Sequence, residues 1–364
     1  MASYSSTKYA DVHSRVRILY SMLLTPLMMA NLQEATNFEA LMALMKETIY
    51  GPYLSKVEER GLNPRQAVYQ IKGRLVESYR DIIQAAPAYT RPLLTQFYRH
   101  FELDNLKAIL RGITTGSGWE QVRYVLFPLN GYTVLPAQIM MESENIGAAV
   151  EQLLNTPYYE VLSHAMQRYT NEQTLFPLEV ALDLDYWRKL WHYVSQLPGQ
   201  DHSRSLQILG PVVDMTNLMW AVRYRTYHKL SEEEIINYTL SFGYHLSDED
   251  VRAIAAGVDI SHIVEKIYPR LENINSLIQT PEHGLPVLEI LIQRLLADQC
   301  RAVFSGYPFH IGLLLACLVL TEVELRDLTV LIEAKSTNMP SEGYLPYLVT
   351  GPASSTQLNP ASGV

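Results

Sequence analysis

The chain has 364 residues, with 29 Lys or Arg against 38 Asp or Glu, for a formal net charge of −9. That length allows two or three domains, each large enough to bury its own core, and excludes a disulfide-stapled mini-protein. No Lys/Arg-rich block stands out to neutralise phosphates, which argues against nucleic acid as a partner, and 48% hydrophobic against 18% charged residues excludes a disordered chain.

From the N-terminus, Met1 to Lys8 is polar and lacks an apolar h-region, so no secretion signal is expected. Tyr9, Val12, Val16, Leu19 and Leu23 step by three and four, which predicts one helical stripe with Arg15 and Arg17 pointing elsewhere. A helical pattern over Leu41 to Pro52 carries Thr48-Ile-Tyr50 at its end. The spacing of Val68, Ile71, Leu75, Tyr79 and Ile82 predicts a helix over Pro64 to Ala85, with Pro64 suited to its first turn. Asn145, Ser231 and Ser247 read as helix starts, the last two with an acid three residues on. Asn130-Gly131 does not join two alternating runs, and strand signals are nearly absent. The fold class is therefore all-α.

Toward the C-terminus, Cys300 and Cys317 sit in apolar stretches and read as reduced core residues. The stretch Ala302 to Thr321 lacks Asp, Glu, Lys and Arg, but its unbroken run from Ile311 to Leu320 is short of the ~20 residues a membrane span needs. It reads as a buried helix, with His310 as a satisfied core or cap histidine. The uncharged tail from Gly351 to Val364 is expected to be disordered.

The chain also repeats. Phe101 to Gly112, Val213 to Tyr224 and Val323 to Ala334 align without gaps. Their second positions are Glu102, Asp214 and Glu324, their fifth Asn105, Asn217 and Asp327, and their sixth Leu106, Leu218 and Leu328. The eleventh holds Arg111, Arg223 and then, with reversed charge, Glu333. A loop and short helix follow each window, and Thr48 to Leu54 is similar to Asn155 to Tyr159. These matches predict three related helical lobes in ring-like or funnel-like packing, divided as 1–135, 136–247 and 248–350, with 351–364 as the tail.

Local catalytic signatures are missing. Gly112 to Gly118 has neither the Lys-Ser/Thr nor the strand of a phosphate-binding loop. Asp183 and Asp185 would face different ways on a helix, which favours a helix-start or solvated-face role over shared acid/base work. No histidine stands at zinc-ligand spacing and no nucleophile elbow occurs. No cofactor or metal is expected.

Tyr9 to Leu24, Leu41 to Pro52, the windows at Phe101 and Val213, and Pro308-Phe-His-Ile through Glu333-Ala-Lys335 to Leu348 resemble the rotary ATPase C/d family. That family comprises the C subunits of archaeal and bacterial A/V-type ATPases and the d subunits of eukaryotic V-ATPases. The resemblance runs over roughly residues 8 to 350. It implies an all-helical funnel of three lobes about a pseudo-threefold axis, not an enzyme but a peripheral rotor adapter, present once per complex. Such an adapter sits on the cytoplasmic face of the membrane proteolipid ring, receives the tip of the central shaft (D/F-type subunits), and couples ATP turnover to proton or sodium movement. Arg111, Arg223 and Glu333 are the subunit-interface candidates, weighed equally against pairing with acids of neighbouring helices. Arg15 and Arg17 are secondary candidates. Glu333 in the third copy would break the symmetry and set one orientation of an asymmetric shaft. The competing readings are a helical scaffold, whose repeats are usually ~20–50 residues long, and an all-helical enzyme, which would need a carboxylate cluster facing a cavity.

Overall fold

The computed structural model describes residues 2–55, 62–271 and 281–350. The expected tail at 351–364 lies outside the described residues. Helices carry the described chain, and no strand occurs among the described residues. The long helices are α1 (Ala2–Ser21), α2 (Pro64–Ala85), α3 (Arg91–Thr114), α4 (Phe176–Ser195), α5 (Gly199–Thr226), α6 (Pro281–Val303) and α7 (Ile311–Ser336). Short helices between them are named by their residues.

Local chemistry explains most boundaries. Asn63 caps α2 in a reciprocal box with Gln66, and Pro64 occupies the first turn, where its missing N–H costs nothing. The same box forms at Ser231 with Glu234 and at Ser247 with Asp250, while Asn145 caps Ile146–Glu151. Asn130 and Gly131 take φ of 41° and 81° and turn the chain without any strands beside them. The expected helix over Leu41 to Pro52 is broken: Phe38–Lys46 ends in turns, and Gly51–Leu54 starts anew.

Packing explains α7. The expected single buried helix over Ala302 to Thr321 is two elements, because α6 ends at Val303 and α7 begins only at Ile311, after Ser305-Gly306-Tyr307-Pro308. From Ile311 through Thr321 every residue of α7 is buried. A helix that is apolar all round must be covered all round, and α7 packs against α1, α2, α5 and α6. Among the described residues no helix is long and apolar enough to cross a membrane.

The long helices pack in a recurring pattern, with α3 against α4, α5 against α6, and α7 against α2. Among the described residues the apolar interior forms two contiguous clusters. One joins Tyr9 through Leu209 to Ile290 through Val349, so α7 shares its core with the first part of the chain. The other spans Val180 to Ile292. Pro211 inside α5 deprives the Gln207 carbonyl of its helical donor, and Gln299 Nε2 of α6 supplies the bond instead at 2.7 Å.

Candidate subunit interface

The three repeated windows lie at the same place on α3, α5 and α7, each stopping two residues short of the helix end. All six polar side chains at positions two and five are buried. Each must therefore find partners inside the protein.

Position five holds the chain that follows the short helix. Asn105 Nδ2 donates to the Phe127 carbonyl at 2.9 Å while its Oδ1 accepts from the Phe127 N–H at 2.7 Å. Asn217 does the same to Leu240, at 2.9 and 2.8 Å. Asp327 has no donor to offer, so it accepts from the Val349 and Thr350 N–H groups at 2.8 and 2.6 Å and from the Thr350 hydroxyl.

Position two holds a loop 30 or 32 residues on in the first two windows and, in the third, the chain at Leu24. Glu102 accepts from Val134 N–H and the Thr133 hydroxyl, at 2.6 and 2.7 Å. Asp214 accepts from the Tyr244 and His245 N–H groups, both at 2.7 Å. A Cβ on Gly210 would stand 2.5 Å from the Tyr244 ring, so only glycine lets this loop approach α5. Glu324 accepts from Leu24 N–H at 2.5 Å. Glu102 and Asp214 thus grip chain 32 and 30 residues downstream, whereas Glu324 grips chain 300 residues upstream.

Tyrosines complete these grips. Tyr158 donates to Glu102 at 2.6 Å and Tyr50 to Glu324 at 2.7 Å. Tyr268 donates to the Pro211 carbonyl at 3.4 Å, with the Asp214 charge nearby. Burial pushes Asp214, Glu324 and Asp327 above the usual carboxylate range, against the N–H and O–H donors that hold them down.

A further contact joins three residues about 110 apart. Tyr89, just before α3, donates to Asp201 Oδ2 at 2.6 Å, and Ile311, the first residue of α7, donates its N–H to Asp201 Oδ1 at 3.0 Å. These partners are separated by 112 and 110 residues. His310 precedes α7, but its side chain does not cap it: Asp201 does, and His310 Nδ1 is buried without a hydrogen-bond partner. Of the two roles expected, core or cap, His310 takes the first: it is buried and hydrogen-bonded to the Tyr307 backbone, while an acid from another helix serves the helix N-terminus. Burial accordingly lowers the His310 pKa.

Arg111 forks onto Glu179, Nε to Oε1 at 2.6 Å and Nη2 to Oε2 at 2.9 Å. Arg223 meets Glu289 at 2.5 Å. Both therefore pair with acids of neighbouring helices, one of the two roles expected of them. Glu333 is exposed; the nearby Lys72 ammonium donates instead to the Val125 carbonyl at 2.6 Å, and burial pushes its pKa down to about 8 against the charges of Asp104 and Glu333. Arg15 makes a loose exposed pair with Asp11 at 3.8 Å. Arg17 Nε reaches His13 at 3.4 Å, and its guanidinium lies over the Phe304 ring at 5.6 Å.

The Asp183–Asp185 pair lies mid-helix in α4, not at a helix start. Asp183 is ion-paired with Lys107, and Asp185 with Lys189 at 2.6 Å. Among the described residues no three His, Cys, Asp or Glu side chains are grouped to hold a metal ion. A cleft of about 480 Å³ is lined by Tyr69, Trp119, Arg123, Tyr124 and Phe127 among others, with no carboxylate or histidine on its wall.

Sequence reasoning aligned the segments that hold Tyr50 and Tyr158 without giving either a role, and it missed Tyr89, Asp201 and Tyr268. Their signal was their spacing, since Tyr50, Tyr158 and Tyr268 recur at nearly the interval of the windows.

A family model described as ATP synthase (C/AC39) subunit matches residues 12–344. The C subunit of the A-type ATP synthase of Methanocaldococcus jannaschii is 22% identical over 343 residues, covering 92% of this chain and 84% of that protein. The corresponding protein of Archaeoglobus fulgidus is 23% identical over 92% of this chain and 94% of its own length. The C subunit of the V-type ATP synthase of Deinococcus radiodurans is 24% identical over 58% of this chain and 59% of its own. Because the family model covers nearly the whole chain, the protein belongs to the ATP synthase (C/AC39) subunit family, an accessory rather than a catalytic subunit of the rotary ATPases.

Proposed function

We propose that this chain is the rotor adapter of an A/V-type rotary ATPase. In this reading it is a funnel of three lobes, 1–135, 136–247 and 248–350, about a pseudo-threefold axis. It sits on the cytoplasmic face of the proteolipid ring, receives the tip of the D/F-type shaft, and couples ATP turnover to proton or sodium movement. One copy serves each complex.

The observation that carries the reading is the contact of Tyr89, Asp201 and Ile311. In a cyclic object, equivalent residues touch one another only near the axis, and these three are equivalent by the spacing of the windows. The grips of Glu102, Asp214 and Glu324 add support, because the tyrosine beside each acid, Tyr158, Tyr268 and Tyr50, belongs to the next lobe in cyclic order. On this reading the first turns of α3, α5 and α7 converge on the axis. Arg111, Arg223 and Glu333 then stand at equal heights, about 33 Å along their helices at ~1.5 Å per residue, at the end open to a shaft. Their pairing leaves Arg111 and Arg223 partly exposed, with side chains 61% and 42% accessible.

Affinity purification from native membranes tests the proposal. The chain should emerge with shaft subunits and the proteolipid, and its removal should uncouple ATP hydrolysis from ion transport. Recovery of the chain alone, with coupling intact in its absence, would overturn it.

A further inference from the structure

The three lobe-to-lobe joints are not equally furnished. Where the chain runs from the first lobe into the second and from the second into the third, the residues before the gripped loop form only the short helices Trp119–Val122 and Glu232–Tyr238. Before Leu24, gripped by Glu324, stands the whole of α1. The contacts of α1 fall on both sides of this seam. It packs against α2 of the first lobe and α7 of the third, and buries Tyr9, Val12 and Val16 completely. The Tyr20 ring stacks on Phe304 at 3.7 Å and 13°, and His13 tilts against Phe309 at 5.1 Å. The Val16 carbonyl accepts from Cys317 Sγ at 3.8 Å. The Tyr9 hydroxyl lies 3.4 Å from Tyr89, itself bound to Asp201.

We propose that α1 is a latch across the seam between the first and third lobes, and that releasing it parts these two lobes while the other joints hold. The proposal rests on the ring-like reading of the three lobes. Its physical basis is that the seam joins residues far apart in the chain, so only packing and hydrogen bonds keep them together, and α1 adds to the direct contact of α2 with α7 a surface that packs on both. A ring with one latched seam can widen to admit or release a partner on its axis without unfolding a lobe.

Hydrogen exchange on the purified full-length chain tests this without any partner. Tyr20→Ala removes the stack on Phe304, and Phe304→Leu removes it from the other side while keeping the core filled. Each should speed amide exchange in 22–54 and 311–348 by about two- to tenfold, the range that loss of one aromatic pair implies, and leave 134–172 and 240–256 unchanged. Faster exchange confined to α1 would overturn the latch, because the seam would then hold without it. Glu324→Ala separates this failure from failure of the ring. If that variant leaves 22–54 unchanged, the third lobe does not close on the first and the ring reading falls too. If it opens 22–54 while Tyr20→Ala does not, only the latch falls.

Discussion

The joint at Glu102 and the joint at Glu324 use the same chemistry on different chain connectivities. Each places a buried carboxylate in α3 or α7 against a backbone N–H of a loop and a tyrosine hydroxyl, with distances between 2.5 and 2.7 Å. At Glu102 the gripped N–H is 32 residues away, and at Glu324 it is 300 away. Closing the longer loop costs roughly 2 kcal/mol more by chain statistics, so equal bonds leave the Glu324 joint weaker. The structure places its one additional long helix, α1, against that joint. Symmetric hydrogen bonding thus does not give symmetric stability; connectivity breaks the equivalence and local packing offsets the difference.

The comparison can be strained most severely where Tyr89, Asp201 and the start of α7 meet. Asp201→Ala strips α7 of its N-terminal acceptor and leaves the Tyr89 hydroxyl without its partner, and should lower unfolding free energy by about 3 kcal/mol in urea titration. A loss below about 1 kcal/mol would show that the junction is peripheral. Glu324→Ala and Glu102→Ala should each cost about 2 kcal/mol, with the first lowering the denaturation midpoint more, because its joint has no short chain segment to hold it. Asn217→Asp sets a carboxylate against the Leu240 carbonyl that Asn217 Nδ2 now serves, and should cost about 1–2 kcal/mol. Asp327→Asn should be better tolerated, as its amide oxygen can keep the Val349 bond, and a thermal melt of the two side by side checks the order.

Titration sharpens the same contrast. The folded state raises the Glu324 pKa above its ordinary 4.5 by burial, so its protonated form is the one the fold favours. Its contribution is complete below 4.5 and is lost as pH rises through the higher folded value. The wild type should therefore gain stability relative to Glu324→Gln as pH falls from ~7 toward ~5, read as the difference between their denaturation midpoints; a constant difference would contradict it. Smallest in stability are the exposed ion pairs. Arg111→Ala should cost under about 1 kcal/mol. Glu333→Ala should leave the melting temperature nearly unchanged and, if Glu333 sets the shaft's orientation, reduce ion pumping per ATP in the assembled complex.

How legible this molecule was depends on how local its determinants are. The span of α2 could be read directly, since proline, cap and stripe all lie within it. The windows could be read because the same contact, to Phe127, Leu240 or Val349, recurs at a fixed distance down the chain and demands the same residue types. Arg111 and Arg223 were legible as equivalents but not as ion-paired, because Glu179 and Glu289 stand on other helices. Asp201 was illegible: neither Tyr89 nor Ile311 resembles it, and only proximity makes an acid, a phenol and a backbone N–H one site.

By itself the sequence determined an all-helical chain, the three windows with their buried acids and amides, and the family resemblance, since each is carried by residues close together or by a repeated pattern. Only the tertiary structure decided that Glu324 takes Leu24 and Tyr50, that Asp201 caps α7, and that α1 packs against both α2 and α7. Those contacts join segments 110 to 300 residues apart, and no local propensity specifies which distant surface a buried carboxylate will find.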